Sequence, residues 1–300
     1  MNHLLSIEEL TGAQIEKLVD LAGVLKKDRK ASPQVLNGQQ WALIFSKSST
    51  RTRVSFEVGI RELGGSVMFL SSADIQLGRG EPIKDTARVM GRMIDGAVIR
   101  TFAQQDVVDF AKYSGIPTIN ALTDDEHPCQ VLADLQTIKE RLGGWKGKRI
   151  CFLGDGDCNM GRSWIWASAH LGFELIIGAP KEFQPQETFM RKVPGGSVCI
   201  VDDPAAAVKG CDVLYTDVWV SMGKEAESAE RVEILKPWQI NTDLLKHANP
   251  GALVMHCLPA YRGKEITEEV MESHAEVIFD QAENRLHAQK AVIVEITQKG

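Results

Sequence analysis

Short strand-like runs alternate with amphipathic segments along the whole chain, and this rhythm restricts the fold more than any other feature. Trp41–Phe45, Val67–Leu70, Gly96–Arg100 and Pro117–Ala121 read as strands. Helical patterns lie around and between them. Ile7–Lys27 puts Leu10, Ile15, Leu18, Leu21 and Leu25 on one side, and Arg51–Leu63 puts Val54, Val58 and Leu63 on one side. Ile83–Met93 and Val107–Tyr113 are further helices. A second set follows Gly143-Gly-Trp-Lys-Gly147: strand Arg149–Leu153, helix Arg162–Leu171, then strands at Glu174–Ile177, Ser197–Val201, Val213–Thr216, Leu253–His256 and Val277–Phe279. Strand–helix–strand repetition of this kind builds parallel sheets with helices on both faces. The expected fold is α/β: two doubly wound parallel-sheet domains with the active site in the cleft between them. Residues 1–142 form the first domain and 143–283 the second. Helix Pro128–Leu142 joins them, and a C-terminal helix at about 284–300 packs back on the first.

Composition removes several function classes. A net charge of −6 argues against a nucleic-acid partner, which usually meets a basic face. No apolar run approaches the roughly 20 residues of a membrane helix, and the N-terminus lacks a signal-peptide pattern. Six scattered cysteines without repeated spacing read as reduced thiols in a cytoplasmic compartment.

The chemistry sits at strand ends. Ser48-Ser-Thr-Arg-Thr-Arg53 joins a buried strand to a helix, and free N–H groups with the positive helix end favour a phosphate there. Arginine adds a planar fork that matches phosphate. A capped, solvated helix start is the bland alternative. Arg100 closes its strand, where ligands of open parallel sheets bind. His127-Pro-Cys-Gln130 opens the joining helix; His127 and Cys129 make a poor metal pair, and a ring donating to a substrate oxygen is the better reading. Leu153-Gly-Asp-Gly-Asp-Cys-Asn-Met-Gly161 approaches a dinucleotide fingerprint, but Asn159 holds the third glycine position and the next strand lacks a terminal acid. Asp217 precedes the Ser221-Met-Gly223 loop and suits a substrate ammonium. Cys257 sits beside a proline turn in His256-Cys-Leu-Pro259, with a buried inert thiol as the default.

Together these segments resemble the aspartate/ornithine carbamoyltransferase family over nearly the whole chain. Ser-Thr-Arg-Thr-Arg, the Gln76-Leu-Gly-Arg-Gly-Glu81 loop, His127-Pro-Cys-Gln130, Asp217 with Ser221-Met-Gly223, and His256-Cys-Leu-Pro259 occur in family order. The Ser-Met-Gly loop and Cys257 resemble the ornithine branch. The resemblance implies transfer of the carbamoyl group of carbamoyl phosphate to the δ-amine of L-ornithine, giving L-citrulline and phosphate, within arginine biosynthesis. It implies Arg51, Arg100, His127 and Cys257 as catalytic residues. Carbamoyl phosphate would meet Ser49, Thr50, Arg51, Thr52, Gln76, Arg100, His127, Gln130, Cys257, Leu258 and Arg285, and ornithine would meet Asn159, Asp217, Ser221 and Met222. Arg285 stands at the start of the last helix in this reading, and Arg53 serves as a structural ion-pair partner. The resemblance further implies a homotrimer or a multiple of trimers, with Gln76 reaching the neighbouring subunit's site, and neither cofactor nor metal. Rival readings are a carbamoyltransferase for acetylornithine or putrescine, a nicotinamide-dependent oxidoreductase, and a phosphate binder without turnover.

Overall fold

A computed structural model describes residues 1–71, 80–195, 198–220 and 228–298. The chain divides into two compact units, Met1–Gln136 with Glu283–Gly300, and Thr137–Ala282. The first holds α1 (Gly12–Lys27), β1 (Gln40–Phe45), α2 (Thr50–Glu62), β2 (Ser66–Ser71), α3 (Ile83–Met90), β3 (Gly96–Arg100), α4 (Gln104–Ser114) and β4 (Thr118–Leu122). Helix α5 (Pro128–Leu142) carries the chain into the second unit. There follow β5 (Arg149–Leu153), α6 (Asn159–Leu171), β6 (Glu174–Gly178), α7 (Glu187–Met190), β7 (Val198–Val201), α8 (Pro204–Val208) and β8 (Val213–Thr216). After them come α9 (Ser228–Leu235), α10 (Thr242–Leu245), β9 (Leu253–His256) and α11 (Glu268–Ser273). Helix α12 (Ala275–Thr297) returns the chain to the first unit at Glu283.

Both sheets are parallel throughout. The first runs β2-β1-β3-β4 and the second β7-β6-β5-β8-β9. In each, the order reverses beside the first strand, between β1 and β3 and between β5 and β8. Such switch points open a crevice at the carboxyl ends of the strands. All of β1 but its first residue is buried, as expected for a sheet covered on both faces. Gly96 lies opposite Trp41 because a Cβ there would meet the indole at 2.5 Å. In the second unit Trp164 packs edge-on against Tyr215 and Phe173, and Tyr215 stacks on Phe152. Such pairs add about 0.5–1.5 kcal/mol each beyond the area they bury.

Four sequence readings change. The first helix begins at Gly12 and not Ile7, because Thr11 and Gln14 form a reciprocal capping box. The Ile7 N–H instead donates to the Glu126 carboxylate at 2.8 Å. On α2 the buried face is Thr52, Phe56, Gly59 and Ile60, and Val54 is 55% exposed. Val277–Phe279 is helix, not strand. Its β-branched and aromatic residues suit a strand locally, but Ile278, Gln281, Arg285, Gln289, Val292 and Ile296 are buried at helical spacing while Phe279 is exposed. Helix α12 therefore starts about nine residues before Asn284, and Arg285 lies inside it. No helix among the described residues is long and apolar enough to cross a membrane.

Candidate active site

In the first unit, α2 begins five residues after β1 ends. Ser49 is extended, with φ −164° and ψ 115°, and its hydroxyl accepts the Thr52 N–H at 3.3 Å. The Arg53 N–H goes to the Ser49 carbonyl. Those bonds leave the N–H groups of Thr50 and Arg51 without an acceptor among the described residues, and free N–H groups at a helix start favour an anion. Arg51 is half-buried and makes no hydrogen bond or ion pair with a described residue. Arg53 turns away: its Nε donates to Glu57 at 2.7 Å and its guanidinium stands 3.9 Å from the Phe69 ring centre. A cavity of about 460 Å³ opens beside this corner, lined by Lys47, Ser48, Ser49, Thr50, Arg53 and Phe69 among others. Arg51 and Thr52 do not line it; the Thr52 hydroxyl is turned instead to Arg285.

Thr52 is buried, and its hydroxyl accepts Nη2 of Arg285 at 2.8 Å. Nη1 of the same arginine donates to Gln130 Oε1 at 2.8 Å, and Gln130 Nε2 donates to Asp134. Arg100 ends β3 opposite Phe45, and its carbonyl accepts the Ser46 N–H at 2.7 Å. His127 precedes α5 and is buried. Burial drives its pKa well below the usual histidine value, and the positive Arg285 and Arg100 push in the same direction. His127 is therefore a neutral ring near neutral pH, able to donate one N–H. Burial also raises Cys129 to about 12, which keeps it an inert thiol.

In the second unit, β5 leads into a turn with Gly154 at φ +117°. A Cβ on Gly156 would lie 2.4 Å from Ile177, and one on Gly161 would lie 2.4 Å from the Gly156 carbonyl. Gly161 thus takes the close helix–turn approach, and Asn159 is the first residue of α6. Asp217 follows β8 and Cys257 follows β9, and the thiol donates to Asp217 Oδ1 at 2.9 Å. The Val218 N–H donates to the same oxygen. Burial raises the Asp217 carboxyl above the ordinary range, offset in part by these two donors. Leu258 holds φ +59°, a left-handed conformation that costs a branched residue about 1–3 kcal/mol and marks functional segments.

Asp217, His256 and Cys257 bring potential ligand atoms within 4.8 Å of one another, the one such trio among the described residues. Both His256 nitrogens bond outside the trio, Nε2 to Glu265 and Nδ1 to the Leu258 N–H, while the thiol donates to Asp217 within it. Of the three, Cys257 and Asp217 bond to each other, and each potential ligand atom of His256 is already engaged.

The structure thus joins Thr52, Gln130 and Arg285 directly, sets Arg100 and Arg285 close enough to act on His127, and joins Asp217 to Cys257. Gln76, Ser221 and Met222 lie outside the described residues. Sequence reasoning missed three groups. Lys47 is buried, pairs with Asp124 and stands 4.3 Å from the Phe102 ring centre, tying the β1 end to the loop before His127. A lysine two residues after an apolar run was its signal. Asp155 and Arg231 form a buried ion pair, and Arg231 Nε also donates to the Trp219 carbonyl. His256 and Glu265 are fully buried partners, with no pattern around Glu265 to announce it.

Residues 2–140 match the model of the aspartate/ornithine carbamoyltransferase carbamoyl-P binding domain, and residues 146–296 that of the Asp/Orn binding domain. The ornithine carbamoyltransferase of Akkermansia muciniphila is 62% identical over 296 residues, covering 98% of this chain and 97% of its own. That of Methanoculleus marisnigri is 47% identical over 300 residues, covering 99% and 97%. The structure of ornithine carbamoyltransferase from Pyrococcus furiosus superposes with a TM-score of 0.92 at 45% identity, covering 98% of this chain and 96% of that one. The anabolic ornithine carbamoyltransferase of Campylobacter jejuni gives 0.92 at 41% identity, covering 99% of each.

Proposed function

The chain belongs to the aspartate/ornithine carbamoyltransferase family, and from that premise we propose that it transfers the carbamoyl group of carbamoyl phosphate to the δ-amine of L-ornithine. The observation that carries the reading is the pairing of Cys257 with Asp217 at 2.9 Å in a chain that also gathers Arg285, Thr52 and Gln130. The first set suits an amino-acid amine, and the second a small anionic carbonyl compound.

The phosphate sits on the start of α2, with the N–H groups and hydroxyls of Ser49, Thr50 and Thr52, and Arg51 balances its charge. Arg51 stays with the phosphate as it leaves. Thr52, Arg100, His127 and Arg285 face the carbonyl side, and Gln130 orients the carbamoyl NH₂. A neutral His127 donates to the developing oxyanion without surrendering a proton, as its depressed pKa favours. In the second unit Asp217 and Ser221 take the α-ammonium, and Asn159 and the Met222 backbone take the α-carboxylate. Cys257 and the Leu258 backbone align the δ-amine and the carbamoyl group. The amine, having lost a proton, attacks the carbonyl carbon. The carbon–oxygen bond to phosphate breaks, and the nitrogen loses its second proton as citrulline forms. Holding both reactants replaces a bimolecular encounter with an oriented one.

The working form we propose is a cytoplasmic homotrimer serving arginine biosynthesis, with Gln76 completing a neighbouring subunit's site. Six free cysteines suit a reducing compartment, and the Campylobacter relative is an anabolic enzyme. Purified protein offered carbamoyl phosphate with ornithine, acetylornithine, putrescine or aspartate should form a ureido product with ornithine. Absence of citrulline would overturn the proposal.

A further inference from the structure

Glu265 has no role in the chemistry above, yet its side chain is fully buried beside the segment that carries Cys257. Its Oε1 accepts two bonds, from His256 Nε2 at 3.1 Å and from the Tyr261 N–H at 2.6 Å. Its own carbonyl accepts the Ile240 N–H at 2.9 Å, so the backbone beneath the carboxylate is anchored too. His256 is buried, and its N–H donates to Gln281 Oε1 at 3.0 Å. Its Nδ1 faces the N–H of Leu258 at 2.9 Å. A backbone N–H can only donate, so Nδ1 must hold a lone pair and the ring proton must sit on Nε2, aimed at Glu265. The ring thereby closes a loop around Cys257: it grips the residue two positions on, which holds the left-handed φ of +59°.

We propose that Glu265 is a positioning residue: by accepting the Nε2 proton it fixes the His256 tautomer, which holds Leu258 in its strained conformation and aims Cys257 at the amine. The proposal rests on the functional reading above. Remove the acceptor, and the ring is free to carry its proton on Nδ1. Donor then faces donor at Leu258, and the Cys257–Leu258 backbone relaxes. The carboxylate's charge is not required, only an acceptor at that point.

The test uses the full-length enzyme with ¹⁵N-labelled histidine. Wild type should show His256 as the Nε2–H tautomer. Glu265→Gln keeps an acceptor and should keep both that signal and kcat within twofold. Glu265→Leu should give a tautomer mixture and a kcat lowered about tenfold, with KM for carbamoyl phosphate unchanged. Where Glu265→Leu folds poorly, His256→Asn asks the same question. Its amide no longer reaches Glu265, so nothing there stops it turning its NH₂ toward the Leu258 N–H, donor against donor, and kcat should again fall about tenfold. Wild-type kcat in Glu265→Leu or His256→Asn, or an Nδ1–H signal in wild type, would overturn the positioning role. Wild-type protein that makes no citrulline would instead overturn the functional reading.

Discussion

Replacing Asp155 with alanine should destabilise the second unit severely, and the structure sets the size of the loss. Asp155 and Arg231 are 8% and 7% exposed. The guanidinium donates to the Asp155 carboxylate and to the Trp219 carbonyl at 2.9 Å, and its central carbon stands 4.5 Å from the Phe183 ring centre. The alanine variant removes the Asp155 carboxylate from that enclosure and takes one buried carboxylate from the guanidinium. Breaking a buried pair on one side costs about 3–5 kcal/mol. For a unit of this size that lowers Tm by roughly 6–20 °C, or shifts a urea midpoint by about 1.5–2.5 M at a typical slope. Five of the six tryptophans, Trp145, Trp164, Trp166, Trp219 and Trp238, lie in this unit, so intrinsic fluorescence reports its unfolding. The double variant Asp155→Leu with Arg231→Met removes both charges together and should recover most of the loss. The same pair ties the turn before Asn159 to the residues just after Asp217, so the single variant should raise KM for ornithine well before KM for carbamoyl phosphate. A midpoint shift below about 0.5 M, or a double variant as weak as the single one, would refute the reasoning.

Three further outcomes are expected. Arg285→Met removes a charged donor to two buried acceptors and should weaken carbamoyl phosphate binding by about 10–150-fold, equivalent to about 1.5–3 kcal/mol, in calorimetric titration; a change under threefold would remove Arg285 from the site. Gly161→Ala drives a Cβ to 2.4 Å from the Gly156 backbone and should abolish ornithine turnover or folding, whereas an active, stable variant would contradict the close approach. His127 has a folded-state pKa below that of the unfolded chain, so the unfolded state binds its proton more readily and stability falls as pH drops below about 6.5. His127→Asn should therefore lose up to about 1.4 kcal/mol less than wild type between pH 7.5 and 5.5, read from urea midpoints at both values; parallel losses would show the ring titrates normally.

Much of the fold was legible because parallel α/β sheets write a local code. Gly96–Arg100, Arg149–Leu153, Val213–Thr216 and Leu253–His256 are strands with the bounds their apolar runs suggested, and α5 spans Pro128–Leu142. The misreadings arose where local propensity and tertiary burial disagreed. Val277–Phe279 has strand composition, yet it lies in a 23-residue helix whose buried side is fixed by distant partners. On α2, Val54 looked like core by spacing, but the face that packs is set by Phe56 and Ile60.

The sequence by itself determined the α/β architecture, the helix start at Ser49–Thr52 and the residue types at the strand ends, since each depends on neighbours within a turn or two. Only the tertiary structure decided which of those residues act on each other. Arg285 meets Thr52 across 233 positions and Gln130 across 155, and Arg231 meets Asp155 across 76. Burial, which neutralises His127 and raises Asp217, comes from the same assembled packing. Periodicity records which face of an element is apolar. It carries no record of which distant side chain closes over it, and that closure sets the hydrogen bonds, the tautomer of His256 and the charge state of the site.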